Sequence, residues 1–301
     1  MAVNWTDLVD PTRDEILQAT GDLSIPPAVV RRISERPREG RQSLPLLEGH
    51  GGCVFSVLVY PVPAAGEDRA RYVPLDVVAT PAAIVTIRWT DVSGAVAPVD
   101  GVAARANANA SAGVVFHAAV DDATDAFLEL VDDMYETIDD LEGEIEHLSG
   151  ADVRSRIALI RDELLRARRV ASMTRTIARR ILDGRVDVGP SELFPADVEN
   201  KFVDTYETLV RVTEELDVAR DLLGGVRDYY QAKIAEQQNE VAKMLTVIAS
   251  LVLVPSLIVG FYGQNFAGHF GDWYWTFGVS LGLIVASTVV QLALFRRRRW
   301  L

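Results

Sequence analysis

Four patterns of apolar and polar positions follow one another along the chain. Residues 14–35 carry a short helical or irregular pattern that closes in a Pro- and Arg-rich turn, Glu35-Arg36-Pro37-Arg38. Strand-like runs come next: residues 52–60, 72–78 and 82–89 are short, rich in β-branched side chains and punctuated by Pro61, Pro63, Pro74 and Pro81. They predict a small mixed α/β domain over residues 1–120. From Asp121 the spacing becomes helical, with a break at Ser149-Gly150, and predicts an antiparallel helical hairpin over residues 121–196. Past a turn-rich stretch, Phe202, Tyr206, Leu209, Leu216, Ala219, Leu223, Val226 and Tyr230 recur at steps of three and four. No proline interrupts this stripe before Pro255, so a single helix is expected over residues 197–262, roughly 100 Å long at ~1.5 Å per residue. Such a helix is too long to bury inside one small domain. Its stripe is therefore expected to lie on like helices of other subunits, in a homo-oligomer.

The last pattern is apolar on every side. Residues 244–262 and 277–295 contain no Asp, Glu, Lys or Arg, and each run is long enough to cross a hydrocarbon core of roughly 30 Å as a helix. The amino terminus is polar and lacks the apolar core of a signal peptide, so the two runs are read as C-terminal membrane anchors. Lys233 and Lys243 precede the first span, and Arg296 to Arg299 follow the second. The positive-inside rule then places both termini in the cytoplasm and the chain in the inner (plasma) membrane. Residues 263–276 become a short external loop, and residues 296–301 a basic cytoplasmic tail. A lone Cys53 allows no intrachain disulfide and fits a reducing compartment.

Composition and charge narrow the chemistry. The chain has 301 residues, 49% hydrophobic content and a formal net charge of −13, and no nucleic acid is expected among its partners. A Gly-x-Gly-x-x-Gly fingerprint, a phosphate loop, Cys/His metal spacing and a Ser-His-Asp set are all missing from the sequence, so neither an enzyme nor a resident cofactor is expected. His117 reads as a packed or surface histidine. The charge of the hairpin is sorted: residues 121–146 are dense in carboxylates and residues 154–185 in arginines. Antiparallel helices would set these partners side by side.

Candidate chemistry sits at the mouth of the first span. Tyr262-Gly263-Gln264-Asn265-Phe266 is a short polar Gly-x-Asn turn at the end of a membrane helix, which reads as an ion-pore entrance. One two-span subunit cannot enclose a channel, so a pore must lie on a symmetry axis and be lined by the helix that continues from the stalk. Stepping by three or four from Asn239 gives Ala242, Leu245 or Thr246, Ala249, Leu253, Ser256 and Gly260, ending near Asn265. A narrow face of small residues is also what membrane helices use to pack together. Both readings stand on the residues alone.

The segment Asn239-Glu240-Val241-Ala242-Lys243-Met244-Leu245-Thr246-Val247-Ile248-Ala249, then Pro255 and Gly260-Phe261-Tyr262-Gly263-Gln264-Asn265-Phe266, resembles the CorA-type divalent-cation transporters. This two-span Gly-x-Asn superfamily includes ZntB-like zinc transporters. The ending Arg299-Trp300-Leu301 looks like the family's basic ending, and the resemblance is close over residues 197–301. It implies an α-helical membrane protein with an N-terminal α/β cytoplasmic domain, assembled as a funnel-shaped homopentamer around a five-fold pore. It further implies a filter at Gly263, Gln264 and Asn265, where a ring of amide oxygens holds a hydrated cation, Mg²⁺ foremost, by its water shell. Mg²⁺ sheds water reluctantly, which suits such outer-shell capture. Rings of Leu253 and Leu245 would gate by dewetting, with Ser256 and Asn239 as polar stations and Asp228 as a cation-attracting ring near the cytoplasmic mouth. The membrane potential would drive entry, at roughly 4.6 kcal/mol per ~100 mV for a divalent ion.

Departures from the family pattern bear on the ion and the gate. Gln264 stands where magnesium members carry Met, and between Asn265 and the second span only His269 and Asp272 are available to gather cations. In magnesium-gated relatives a stalk carboxylate, matching Asp204 with Glu207 one turn on, shares a metal between subunits with a Glu-Asp pair of the N-terminal domain. Arg31-Arg32 stand in the counterpart segment here. The resemblance thus implies a direct Arg32–Asp204 salt bridge in place of the regulatory metal. Three functions remain: a passive divalent-cation channel (Mg²⁺, with Co²⁺, Ni²⁺ or Zn²⁺), a proton-coupled transition-metal importer of the ZntB kind, and a non-conducting membrane scaffold.

Overall fold

Near-continuous apolar runs along the central strands build a sheet with two buried faces. A computed structural model describes residues 3–21, 23, 25–35, 43–63, 69–105, 110–186, 193–263 and 273–300. They divide into two compact units, Met1–Arg227 and Asp228–Leu301. The first begins with β1 (Asn4–Val9), α1 (Arg13–Thr20) and α2 (Pro27–Ile33). β2 (Leu46–Gly49), β3 (Val54–Pro63), β4 (Ala70–Ala79) and β5 (Ala83–Arg88) follow. The strand order is β1-β5-β4-β3-β2, with β1 parallel to β5 and the other pairs antiparallel.

The two edge strands were not anticipated from the pattern. β1 is partly exposed and carries Asn4, Thr6 and Asp7, and the Asp7 carboxylate accepts from Nε of Arg88 at 3.1 Å on the neighbouring strand. β2 is only four residues long. α1 is fixed by a capping box, in which Thr12 Oγ1 accepts from the Glu15 amide and the Glu15 carboxylate accepts from the Thr12 amide.

Three long helices follow the sheet, and α4 and α5 pack against it. α3 (Asp100–Arg105) leads into α4 (Ala112–Glu144), α5 (Gly150–Leu182) and α6 (Ala196–Gly263). α4 starts ahead of the expected boundary at 120, since residues 112–120 already carry an apolar face that buries Val115, Phe116, Ala119 and Val120. Leu58, Tyr60, Val73, Leu75 and Val77 of the sheet join these in one core with Phe194, Phe202 and Leu209. The Tyr60 hydroxyl donates to the Ala119 carbonyl at 2.7 Å, which satisfies the polar end of the buried ring.

Two expectations about the helices need correction. Phe202, Leu209, Leu216, Ala219, Leu223 and Val226 are buried within the protomer. That stripe is therefore covered by the chain itself and is no argument for an oligomer. Cross-links tie the same part of α6 to its neighbours: Tyr135 of α4 donates to the Glu215 carbonyl at 3.1 Å, and Arg168 of α5 pairs with Asp217 at 2.7 Å. His117 is packed, as read from the sequence, with its Nε2 3.1 Å from both the Lys201 carbonyl and Thr205 Oγ1.

The sorted charges of the hairpin meet in part. Among the described residues, Arg156–Glu144, beside the turn, is an ion pair joining α4 to α5. Several other α5 arginines have partners outside α4: Arg180 donates to the Leu47 carbonyl, Arg166 lies over the Tyr72 ring, and Arg175 donates to Thr213. Arg105 of α3 engages Asp121, Asp122 and Asp125. Each helix must turn its apolar stripe to the core, and that orientation carries the charged faces away from each other.

Candidate functional site

The second unit consists of α6 from Asp228 onward and α7 (Trp273–Arg297). α6 runs through Pro255 without ending, although that residue cannot donate to the Leu251 carbonyl. Both helices are long and apolar enough to cross a membrane, with mean hydropathy 2.4 and 2.0 over their best windows.

Exposure splits the membrane part of α6 into faces. Lys243, Val247, Ser250, Leu251, Val254, Ile258 and Tyr262 are buried or half-buried, recurring at three and four residues. On α7 the corresponding half-buried row is Thr276, Ser280, Ile284, Ser287, Thr288, Gln291 and Phe295. Every position of the stripe expected to line a pore lies outside the covered row of α6. Asp228, Asn239, Ala242, Leu245, Thr246, Ala249, Leu253, Ser256, Gly260 and Gly263 are all exposed. A β-carbon added at Gly260 or Gly263 would meet nothing within 4 Å inside the protomer.

The hydroxyls on this stripe have a defined polarity. Ser256 Oγ donates to the Val252 carbonyl at 2.7 Å, and Thr246 Oγ1 donates to the Ala242 carbonyl at 2.8 Å. Each bond leaves lone pairs on the oxygen, as the same kind of bond does for Ser250 on the covered row and for Ser280, Ser287 and Thr288 on α7. A hydrated cation turns its water hydrogens outward, so acceptors are the matching chemistry. Gly263 is the last residue of α6, whereas Gln264 and Asn265 lie outside the described residues. Among the described residues there is no group of three or more His, Cys, Asp or Glu arranged to hold a metal.

The residues singled out for regulation lie in the first unit. Arg32 Nη1 is 3.2 Å from Glu48 Oε1, and its guanidinium lies 5.2 Å from the centre of the Phe55 ring. Asp204 and Glu207 are exposed on α6. Two buried polar groups near the sheet escaped the sequence reading. Asp76 on β4 lies on the Phe55 face among Val57 and Ile87, its cross-strand neighbours. Burial pushes its carboxyl up to about 7, opposed by the Trp89 indole and the Arg32 guanidinium. The available signal was one carboxylate inside an otherwise apolar strand. Glu163 on α5 is raised by burial and accepts from the Tyr72 hydroxyl at 2.8 Å. It lines a groove of about 320 Å³ together with Glu129, Asp133, Glu136 and Asp140 of α4.

The arrangement has known counterparts. The sequence model of the CorA-like Mg²⁺ transporter protein family matches residues 1–297. The chain belongs to this family. Among CorA relatives, it is 29% identical over 102 residues to the cobalt/magnesium transport protein CorA of Thermotoga maritima, covering 33% of this chain and 29% of that protein. It is 23% identical over 190 residues to the putative metal ion transporter YfjQ of Bacillus subtilis, covering 62% of this chain and 58% of that protein. The matched stretch is thus less than two thirds of either relative's length. The CorA fold extends over the whole chain: the complete structure of the CorA magnesium transporter from Methanocaldococcus jannaschii superposes with a TM-score of 0.78 at 18% identity. That superposition covers 99% of this chain and 91% of the archaeal one.

Proposed function

We propose that this CorA-family protein conducts divalent metal cations, Mg²⁺ foremost, along the exposed stripe of α6 in a homopentamer embedded in the inner membrane. The observation that carries this reading is the match of the CorA-like family model over residues 1–297, together with a stripe from Asn239 to Gly263 that the protomer leaves uncovered. Asn239, Thr246 and Ser256 on that stripe would give an axis lined by this face acceptors for the water shell of a hydrated ion. The filter is assigned to Gly263, Gln264 and Asn265, with Leu245 and Leu253 as the dewetting gate. Asp228 serves as the cation-concentrating ring, both termini lie in the cytoplasm, and the membrane potential drives flux.

Uptake by the purified protein in liposomes, with Mg²⁺, Co²⁺, Ni²⁺ and Zn²⁺ and with or without a pH gradient, tests the reading. Potential-driven Mg²⁺ uptake that ignores the pH gradient is expected. Uptake of Zn²⁺ that requires the gradient would instead favour a proton-coupled importer, and no uptake of any ion would leave a scaffold.

Regulation by Mg²⁺ is proposed to be weak or absent. Arg32 is half exposed where it meets Glu48, so Asp204 of an adjoining subunit, supported by Glu207, would have access to it as a competing carboxylate. A guanidinium there supplies permanently the charge that a bound metal would supply on demand. Trypsin resistance of the wild type is therefore expected to be the same with and without millimolar Mg²⁺. Resistance that rises with Mg²⁺, and no longer rises in Asp204→Ala, would overturn this.

A further inference from the structure

α7 ends in a tight closure that gathers four arginines around an aromatic pair. Arg298, Arg299 and Trp300 close the helix by donating backbone N–H groups to Leu294 at 3.0 Å, Arg296 at 3.1 Å and Phe295 at 3.0 Å. The last two bonds, from the residues one and two places past the cap, form a Schellman closure. It requires a left-handed backbone at Arg299, where φ is 54°. Glycine adopts that conformation most easily, and a β-carbon strains it. The closure folds Trp300 back onto the last turn, so that its ring stacks on Phe295 with centroids 5.9 Å apart and planes at 13°. Arg296, Arg297, Arg298 and Arg299 are all exposed around this aromatic pair. Among the described residues none of the four has a carboxylate partner in an ion pair.

We infer that this end of α7 is a binding site for the phosphate headgroups of anionic phospholipids, with Arg296 to Arg299 as the anion-binding set and the Phe295–Trp300 stack as its seat at the membrane interface. The proposal rests on the reading of α7 as a membrane span.

Four exposed guanidiniums around a fixed helix end concentrate positive charge that an anion would neutralise. Guanidinium meets phosphate oxygens in bidentate pairs. A stacked tryptophan at the end of an apolar span sits at headgroup depth. Both observations favour a phosphate fixed in the bilayer surface over one free in solution. The arginine at position 299 is informative in itself, because glycine would relax the backbone but remove a guanidinium.

The test uses the full-length protein in detergent, with competitive binding of phosphatidylglycerol against phosphatidylcholine read by native mass spectrometry. Each basic residue near an anionic surface contributes about fivefold in affinity. Arg299→Gly is expected to lose roughly that factor in phosphatidylglycerol preference while unfolding at the same or a higher temperature. A combined Arg298→Gln and Arg299→Gly variant is expected to lose at least tenfold, and Arg→Lys at all four positions to retain most of the preference. Inorganic phosphate at ten millimolar is expected not to displace the lipid. The inference is overturned if the double variant keeps the wild-type preference, or if inorganic phosphate displaces phosphatidylglycerol, which would make the site one for free phosphate. Recovery of the wild-type chain from the soluble rather than the membrane fraction would sink the span reading beneath it, independently of any lipid measurement.

Discussion

Asn265→Ala is expected to lower Mg²⁺ uptake into liposomes at least tenfold while leaving the protein in the membrane fraction. At the proposed entrance the amide oxygen accepts from water in the cation's shell, a hydrogen bond to a charged group worth about 1.5–3 kcal/mol net. Loss of one such bond already approaches a tenfold effect, and a symmetric assembly loses one per subunit. Because the shell is kept, the loss should appear as weaker capture of the hydrated ion, with half-saturation moving to higher Mg²⁺. Gln264→Met in the same assay is expected to shift the ranking among Mg²⁺, Co²⁺, Ni²⁺ and Zn²⁺, since it exchanges a second amide for a thioether. Unchanged conduction in Asn265→Ala would remove the filter from this position.

The largest expected change in stability comes from a residue far from the spans. Asp76 is held among apolar strand residues, and burial raises its carboxyl from 3.8 in the unfolded chain to about 7 in the fold. Between those values the native state binds a proton that the unfolded state has released, so stability must fall as pH rises through this window. The contribution is fully present below about pH 4 and is lost by the time pH has passed about 7. A shift of this size corresponds to something on the order of 4 kcal/mol. Asp76→Asn keeps the size of the side chain and cannot ionise. It is therefore expected to unfold at a higher temperature than the wild type at pH 8, to match it near pH 4, and to flatten the slope between them. Thermal unfolding across that range checks the sign. A variant less stable than wild type at pH 8 would mean that the ionised carboxylate is held by Arg32 and Trp89 strongly enough to outweigh its burial.

What was legible in the chain was legible for local reasons. A run without charges long enough to span a bilayer is a property of consecutive residues, so both spans could be read directly, as could the continuity of α6 up to Pro255. The three inner strands, β3, β4 and β5, announced themselves through β-branched runs broken by prolines. β1 and β2 did not, because an edge strand needs only one partner and tolerates polar positions.

The candidate pore stripe was also readable, since spacing along a helix fixes which residues share a face. Which face is covered was not. The row from Phe202 to Val226 looked like an intersubunit seam but is buried by α4 and α5 of the same chain. The arginines of α5 looked like partners for α4, but beyond Arg156, which pairs with Glu144, several reach Leu47, Tyr72, Thr213 and Asp217.

By itself, then, the sequence determined two helices long and apolar enough to cross a membrane, the long helix and the family to which the chain belongs, because each is written in neighbouring residues. Only the tertiary structure decided that the stalk stripe is internal, that Asp76 is a buried acid, that Arg32 rests on Glu48 and Phe55, and that Trp300 folds back on Phe295. Burial and pairing are set by groups brought together from distant parts of the chain, and helical or strand periodicity says which side a residue is on without saying what will lie against it.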